Sequence, residues 1–210
     1  MKEQKGTDIS QEIPVQHKGN SSDNSYEITA ASSSEAERIY ASSINRLLDI
    51  NNWEKICGIG SAAFQLTDSD GNEVNRKVWE SDLIRIDIPG PGPSLGEGYD
   101  WVAVERIDES EDHESNTAYV SITVRPSSNP ATSDNNTAHF FSEEATSTFI
   151  VRKDNRRVIA EVHGRNELIN SNTGKTVDNL RNTIVAKTAT RAFSDIQWKS
   201  LVKALVNYPA

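Results

Sequence analysis

The chain has 210 residues, a formal net charge of −9, 35% hydrophobic and 25% charged residues, and one cysteine, Cys57. That length suits a single domain and buries roughly 70% of the unfolded surface, enough for a core without covalent staples. One cysteine excludes an internal disulfide and a cysteine metal cluster, and the negative charge argues against nucleic acid or anionic membrane as a general partner.

The start, "MKEQKGTDISQEIPVQHKGN", lacks the apolar run of a secretory leader, and no stretch reaches the ~20 apolar residues of a membrane span. A soluble, cytoplasmic protein with no integral membrane segment is expected. Residues 1–24, rich in Ser, Asn, Gln and Lys, read as a mobile tail ahead of one domain over residues 25–210. "SYEITA" supplies a short first strand. In "SSEAERIYASSINRLLD" the residues Ala36, Tyr40, Ile44, Leu47 and Leu48 recur at helical steps, and Ser34 with Glu37 has capping-box spacing. Asn51 and Glu54 repeat that spacing ahead of "WEKI", which predicts a second, short helix.

Beyond Gly58 the period becomes alternating. Asp70 and Gly71 signal a turn. Ile84, Ile86 and Ile88 share one face of a strand, with Arg85 and Asp87 on the other. "DWVAVERID" and "AYVSITVRP" follow as strands, then the loop "SSNPATSDNNTA". "STFIVRKD" and "RVIAEVHG" pair around Asp154 and Asn155, with Val158, Ala160 and Val162 on one face and Glu161, His163 and Arg165 on the other. The helical period returns from Thr176 to about Val206. Its apolar positions drift from Val177, Leu180 and Ile184 to Trp198, Leu201 and Leu205, which predicts a bend near Ser194 and Asp195 or cover on several sides.

The order is thus strand, two helices, about six further strands in hairpin series, and a long terminal helix. Short turn-length links imply an antiparallel sheet with the helices on one side, an α+β fold. Through "SYEITA", "INRLLDINNWEKI" and "TVDNLRNTIVAKTATRAFSDIQWKSLVKALV", this order resembles the START or Bet v 1-like superfamily, over roughly residues 26–206. The resemblance implies a helix-grip fold: a curved antiparallel sheet of about seven strands wraps a long C-terminal helix, with two short helices after the first strand. It also implies a cavity for an apolar small molecule.

The chemistry-bearing patterns are sparse. "GPGPSLGEG", between Ile88 and Tyr99, has the glycine spacing of a phosphate loop. It lacks the Lys-Ser/Thr and the following helix that such a loop requires, and Asp87, Glu97 and Asp100 would repel a phosphate. Prolines 89, 91 and 93 instead make a stiff connection, a candidate lid with Tyr99 and Trp101 nearest the entrance. "GIGSAA" matches a dinucleotide fingerprint, but it follows a helix and enters a strand, the reverse of what the fingerprint needs. His139 with Glu143, and His163 with Glu167, have metal-pair spacing only on a helix. On a strand, as around His163, four residues span about 13 Å, too far for one ion. No metal or other cofactor is expected.

The ring-bearing residues Trp53, Trp79, Tyr99, Trp101, Phe149 and Trp198, with His163 and Arg165 as polar partners, are the candidate ligand-binding set. Binding or carriage of an apolar small molecule is the leading functional expectation. A cyclase- or dehydratase-like enzyme on the same scaffold, with His163 or His139 shuttling a proton, is the first alternative. A non-catalytic interaction module presenting the acidic segment "ERIDESEDHE" is the second. Ligand identity and oligomeric state are not legible in the sequence.

Overall fold

A computed structural model describes residues 9–58, 61–88, 93–170 and 195–207. Seven strands form one antiparallel sheet: β1 (Asn20–Thr29), β2 (Ala63–Thr67), β3 (Leu83–Asp87), β4 (Asp100–Asp112), β5 (Thr117–Pro126), β6 (Thr146–Asp154) and β7 (Arg157–Glu167). Their spatial order is β1-β7-β6-β5-β4-β3-β2, so β2 to β7 run as a meander and β1 closes on the far side of β7. β1 and β2 are therefore the two edges. The chain between them crosses the width of the sheet as α1 (Ser33–Leu48), a 3-10 turn over Ile50–Asn52, and α2 (Trp53–Cys57). The last described helix, α3 (Asp195–Asn207), packs on β1, β7, α1 and α2. This is the helix-grip arrangement expected from the element order. The part of the long terminal helix expected over residues 176–194, with the bend beside Ser194, lies outside the described residues. No helix among the described residues is long and apolar enough to cross a membrane.

The core follows from strand alternation. Ile84, Val102, Val104, Val120, Ile122, Val124, Phe149, Val151, Val158, Ala160 and Val162 point inward, where they meet Leu47, Ile50 and Trp53 of the helical crossing and Leu201 and Leu205 of α3. Burying side chains of this size contributes roughly 1.5–3 kcal/mol each, which ties the helices to one face of the sheet. Arg46 of α1 donates to the Leu205 carbonyl (2.7 Å), satisfying a group near the end of α3.

Three local expectations are corrected. The α1 cap is Ser32, whose hydroxyl accepts from Glu35 N (3.2 Å), while Glu35 accepts from Ala31 N (2.7 Å). The pair Ser34 and Glu37 has the same spacing, but buried Lys153 engages the Glu37 carboxylate instead. Asn51 does not cap α2. Its side chain accepts from Leu66 N (2.6 Å) and donates to the Val74 carbonyl (2.8 Å), bridging the crossing to the edge of the sheet.

The third correction concerns the tail boundary at residue 24, which falls inside β1. Residues 9–18 lie against the sheet as a strap. Glu12 is buried, accepts from the Tyr119 hydroxyl (2.8 Å) and pairs with Arg106 (2.8 Å). Further along, His17 N and Lys18 N donate to Asn166 Oδ1, and Gln16 Oε1 accepts from Asn166 N. A polar composition concealed these contacts because they are made by single side chains, not by an apolar periodicity.

Candidate functional site

Between the inner face of the sheet and the helices lies a cavity which, with the solvent at its mouth, encloses about 850 Å³. Four aromatic rings line it in a closed cycle. Trp53 meets Phe64 edge-on (centroids 5.4 Å) and Phe149 at 4.8 Å, and Trp198 meets Phe149 at 5.2 Å and Phe64 at 6.5 Å. Such pairs add about 0.5–1.5 kcal/mol each beyond area burial, so the cycle is a stiff wall. Trp53 is further fixed by its indole N–H, which donates to the carbonyls of Arg46 and Leu47 (3.1 and 3.2 Å).

A second wall comes from the loop after β5. Phe140 N donates to buried Asp100 Oδ1 (3.0 Å), and Asn170 donates to the carbonyls of Thr137 and His139 (3.0 Å each). These bonds hold His139, Phe140 and Phe141 against the cavity, with the His139 ring stacked on Phe140 at 4.3 Å. Phe141 N donates to His139 Nδ1 (2.9 Å), which leaves the proton of a neutral imidazole on Nε2. Ser147, Glu167 and Gln197 are the other polar residues in the lining. Gln197 accepts from Ala62 N (2.9 Å) and contacts the Cys57 thiol, which burial pushes up to about 12. That thiol is inert at neutral pH.

Of the eight residues expected at a ligand, Trp53, Phe149 and Trp198 line the cavity and the others do not. Trp79 is exposed (62%) with the Arg76 guanidinium over its ring at 3.8 Å. Trp101 faces outward on β4 and packs in a second apolar cluster with Leu83, Leu95 and Ala138, against which half-buried Tyr99 also rests. Because Arg85 pairs with Trp101 across β3 and β4, its guanidinium stands over the Tyr99 ring at 4.7 Å. Glycine spacing drew attention to the loop ahead of β4, yet its described part, residues 93–99, serves this outer cluster. The expected lid, with Tyr99 and Trp101 nearest the entrance, is therefore corrected for that part, and residues 89–92 lie outside the described residues.

His163 and Arg165 lie on the outer face of β7, as alternation required. His163 reaches Asp23 through Nδ1 (2.5 Å) and Glu161 through Nε2 (3.4 Å), Arg165 pairs with Asp23 (2.8 Å), and Arg152 with Glu161 (2.9 Å). Burial opposes charge on the His163 ring, but the Glu161 and Asp23 carboxylates outweigh it and hold its pKa above the usual imidazole value. The same contacts, working against burial, hold both carboxylates below theirs. His163 is thus an ion-pair member separated from the cavity by the sheet itself. The acidic segment forms the β4–β5 hairpin, where Asp112 accepts from Glu114 N and from the Ser115 hydroxyl to close the turn.

Phe140 and Phe141, expected by residue type to line such a cavity, do so, while Phe64, His139, Ser147, Glu167 and Gln197 line it without having been expected there. For Glu167 the sequence carried no signal, because alternation breaks at a backbone irregularity. Asn166 adopts φ 55°, and the three β7 steps from Gly164 to Glu167 span the two β1 steps from Ser22 to Asn20. This β-bulge turns Glu167 from the outer face, where simple alternation puts it, to the inner one.

No protein-family profile matches the sequence, and no curated protein is significantly similar to it. Solved structures are similar in shape. The protein Ms6760 from Mycobacterium smegmatis aligns over 90% of this chain and 92% of its own, at 13% identity and a TM-score of 0.40. The ginseng major latex-like protein 151 from Panax ginseng aligns over 85% and 97%, at 11% identity and a TM-score of 0.31. The di-domain ARO/CYC BexL from the BE-7585A biosynthetic pathway aligns over 90% of this chain at 12% identity and a TM-score of 0.38, and the chain spans 45% of its length. The helix-grip description of this fold rests on its own strand order and helix placement.

Proposed function

We propose that this chain binds an apolar, ring-bearing small molecule between the inner face of its sheet and its C-terminal helix. The supporting observation is the closed cycle of Trp53, Phe64, Phe149 and Trp198, which forms one wall of a cavity whose lining is mostly apolar. Rings fixed in this way bury the area of a planar ligand without a large ordering cost. Titration with 1-aminoanthracene, whose emission rises in apolar surroundings, tests the reading. Saturable binding weakened at least about fivefold by Trp198→Ala, in a variant that circular dichroism shows to be folded at the assay temperature, is expected. Absence of saturation would overturn it. An enzymatic role through His163 is not favoured, since that ring is committed to two carboxylates on the opposite face.

A further inference from the structure

Gln197 stands among rings, and its amide has more hydrogens than its surroundings use. It precedes Trp198 on α3, lines the cavity with it, and is only 4% exposed. Its Oε1 accepts from Ala62 N (2.9 Å), a buried backbone donor just ahead of β2 and outside the ladder that joins β2 to β3. That bond fixes which end of the amide is oxygen, because the reverse orientation would set the Nε2 hydrogens against an N–H. Nε2 is thereby turned toward Cys57, whose sulfur it meets at 3.5 Å. A thiol sulfur is a weak acceptor, and burial keeps this thiol protonated. The second Nε2 hydrogen meets no acceptor among the described residues. A buried donor without an acceptor is destabilising, and the open space beside this one is the cavity. Cys57 lies one helical turn after Trp53 on α2, and Ala62 lies two residues before Phe64, so both neighbours of the amide adjoin the ring cycle.

From this we infer that Gln197 is a specificity-determining residue, whose Nε2–H selects planar apolar ligands carrying an uncharged acceptor such as a ring carbonyl over hydrocarbons of the same outline. The inference rests on the cavity reading above and gives it a ligand class. A carbonyl oxygen that reaches Nε2 completes the bonding of the amide while the ring body lies against Trp53, Phe64 and Trp198. A hydrocarbon in the same place shuts the donor away from water without a partner, and that penalty falls on the complex. His139 and Ser147 also line the cavity and can donate, so the experiment has to separate them from Gln197.

The test is displacement of 1-aminoanthracene by 9-fluorenone and by fluorene, which share a planar outline and differ in one carbonyl oxygen. The ratio of their affinities is compared between native protein and Gln197→Met, which keeps the length of the side chain and removes its donor. Methionine also deprives Ala62 N of its acceptor, a loss common to both competitors that cancels in the ratio. The ratio is expected to move toward fluorene by at least about fivefold in the variant. A second measurement needs no variant: the infrared carbonyl stretch of fluorenone bound to native protein is expected at lower frequency than in hexane. In Gln197→Met it is expected to return toward the hexane value. A native band at the hexane position, an unchanged affinity ratio, or a band that stays low in Gln197→Met would overturn the inference while leaving the cavity reading intact. Failure of 1-aminoanthracene itself to bind would instead remove the cavity reading, and this inference with it.

Discussion

The two faces of the sheet are both well covered, and the cavity described above lies on the inner one. On the inner face, apolar residues of β3 to β7 meet helices, and aromatic rings join aliphatic chains of β3, β4 and β5 in lining the cavity. On the outer face, Tyr119, Ser121, Thr123 and Thr148 are equally buried, and the nearby charges of β1, β6, β7 and the strap are spent on one another. Burial therefore does not mark the site. What separates the faces is that aromatic rings pack at fixed distances and leave space between layers, whereas paired side chains close onto each other.

That contrast can be broken from either side. Trp53→Ala is expected to have the largest effect, about 3–5 kcal/mol of stability, with loss of saturable 1-aminoanthracene binding. Chemical denaturation followed by circular dichroism measures the first, and dye titration the second. A full-stability variant would show that the ring cycle is not a structural wall. On the outer face, Glu12→Ala leaves the buried Tyr119 hydroxyl without its acceptor and is expected to cost about 2 kcal/mol without changing dye affinity. Altered affinity would mean that the two faces of the sheet are energetically coupled.

His163→Gln carries a pH signature. The folded His163 pKa is raised, so its contribution is complete below the unfolded value of about 6.5 and is lost as pH rises through the folded value. Asp23 and Glu161 are depressed, so theirs is present above about pH 4 and is lost as pH falls through their folded values. The stability difference between native and variant protein is therefore expected to peak between about pH 4 and 6.5. Its size is expected to be about 1 kcal/mol, since Asp23 is half exposed and screened by solvent. A difference flat from acid to alkaline pH would show that the ring contributes packing and not charge. The smallest effect is expected for Trp79→Ala, within about 0.5 kcal/mol and with dye binding unchanged, because that ring packs on Arg76 in solvent. Loss of dye binding there would place a ligand surface outside the cavity.

Periodicity made the strands from β2 onward and the helix α1 legible, because alternation and the 3.6-residue step are local consequences of which face is buried. The same rule put Glu161, His163 and Arg165 on the outer face correctly. It failed two residues later, at Glu167, because one left-handed asparagine reverses the alternation and that conformation is held by residues about 150 positions away. Aromatic residues were recognisable as ligand-lining candidates by type, but Trp53 and Trp101 look alike in sequence. Only the tertiary fold sends Trp53, on α2, into the cavity and Trp101, on β4, to the outer cluster with Leu95 and Ala138.

By itself, then, the sequence determined the element order, the antiparallel hairpin connections and the apolar face of most elements, since each depends on neighbours within a few residues. The tertiary structure alone decided which rings share a cavity, that residues 9–18 belong to the folded body, and that Glu167 faces inward. Those three outcomes depend on contacts between segments far apart in the chain, whose free energy no local pattern encodes.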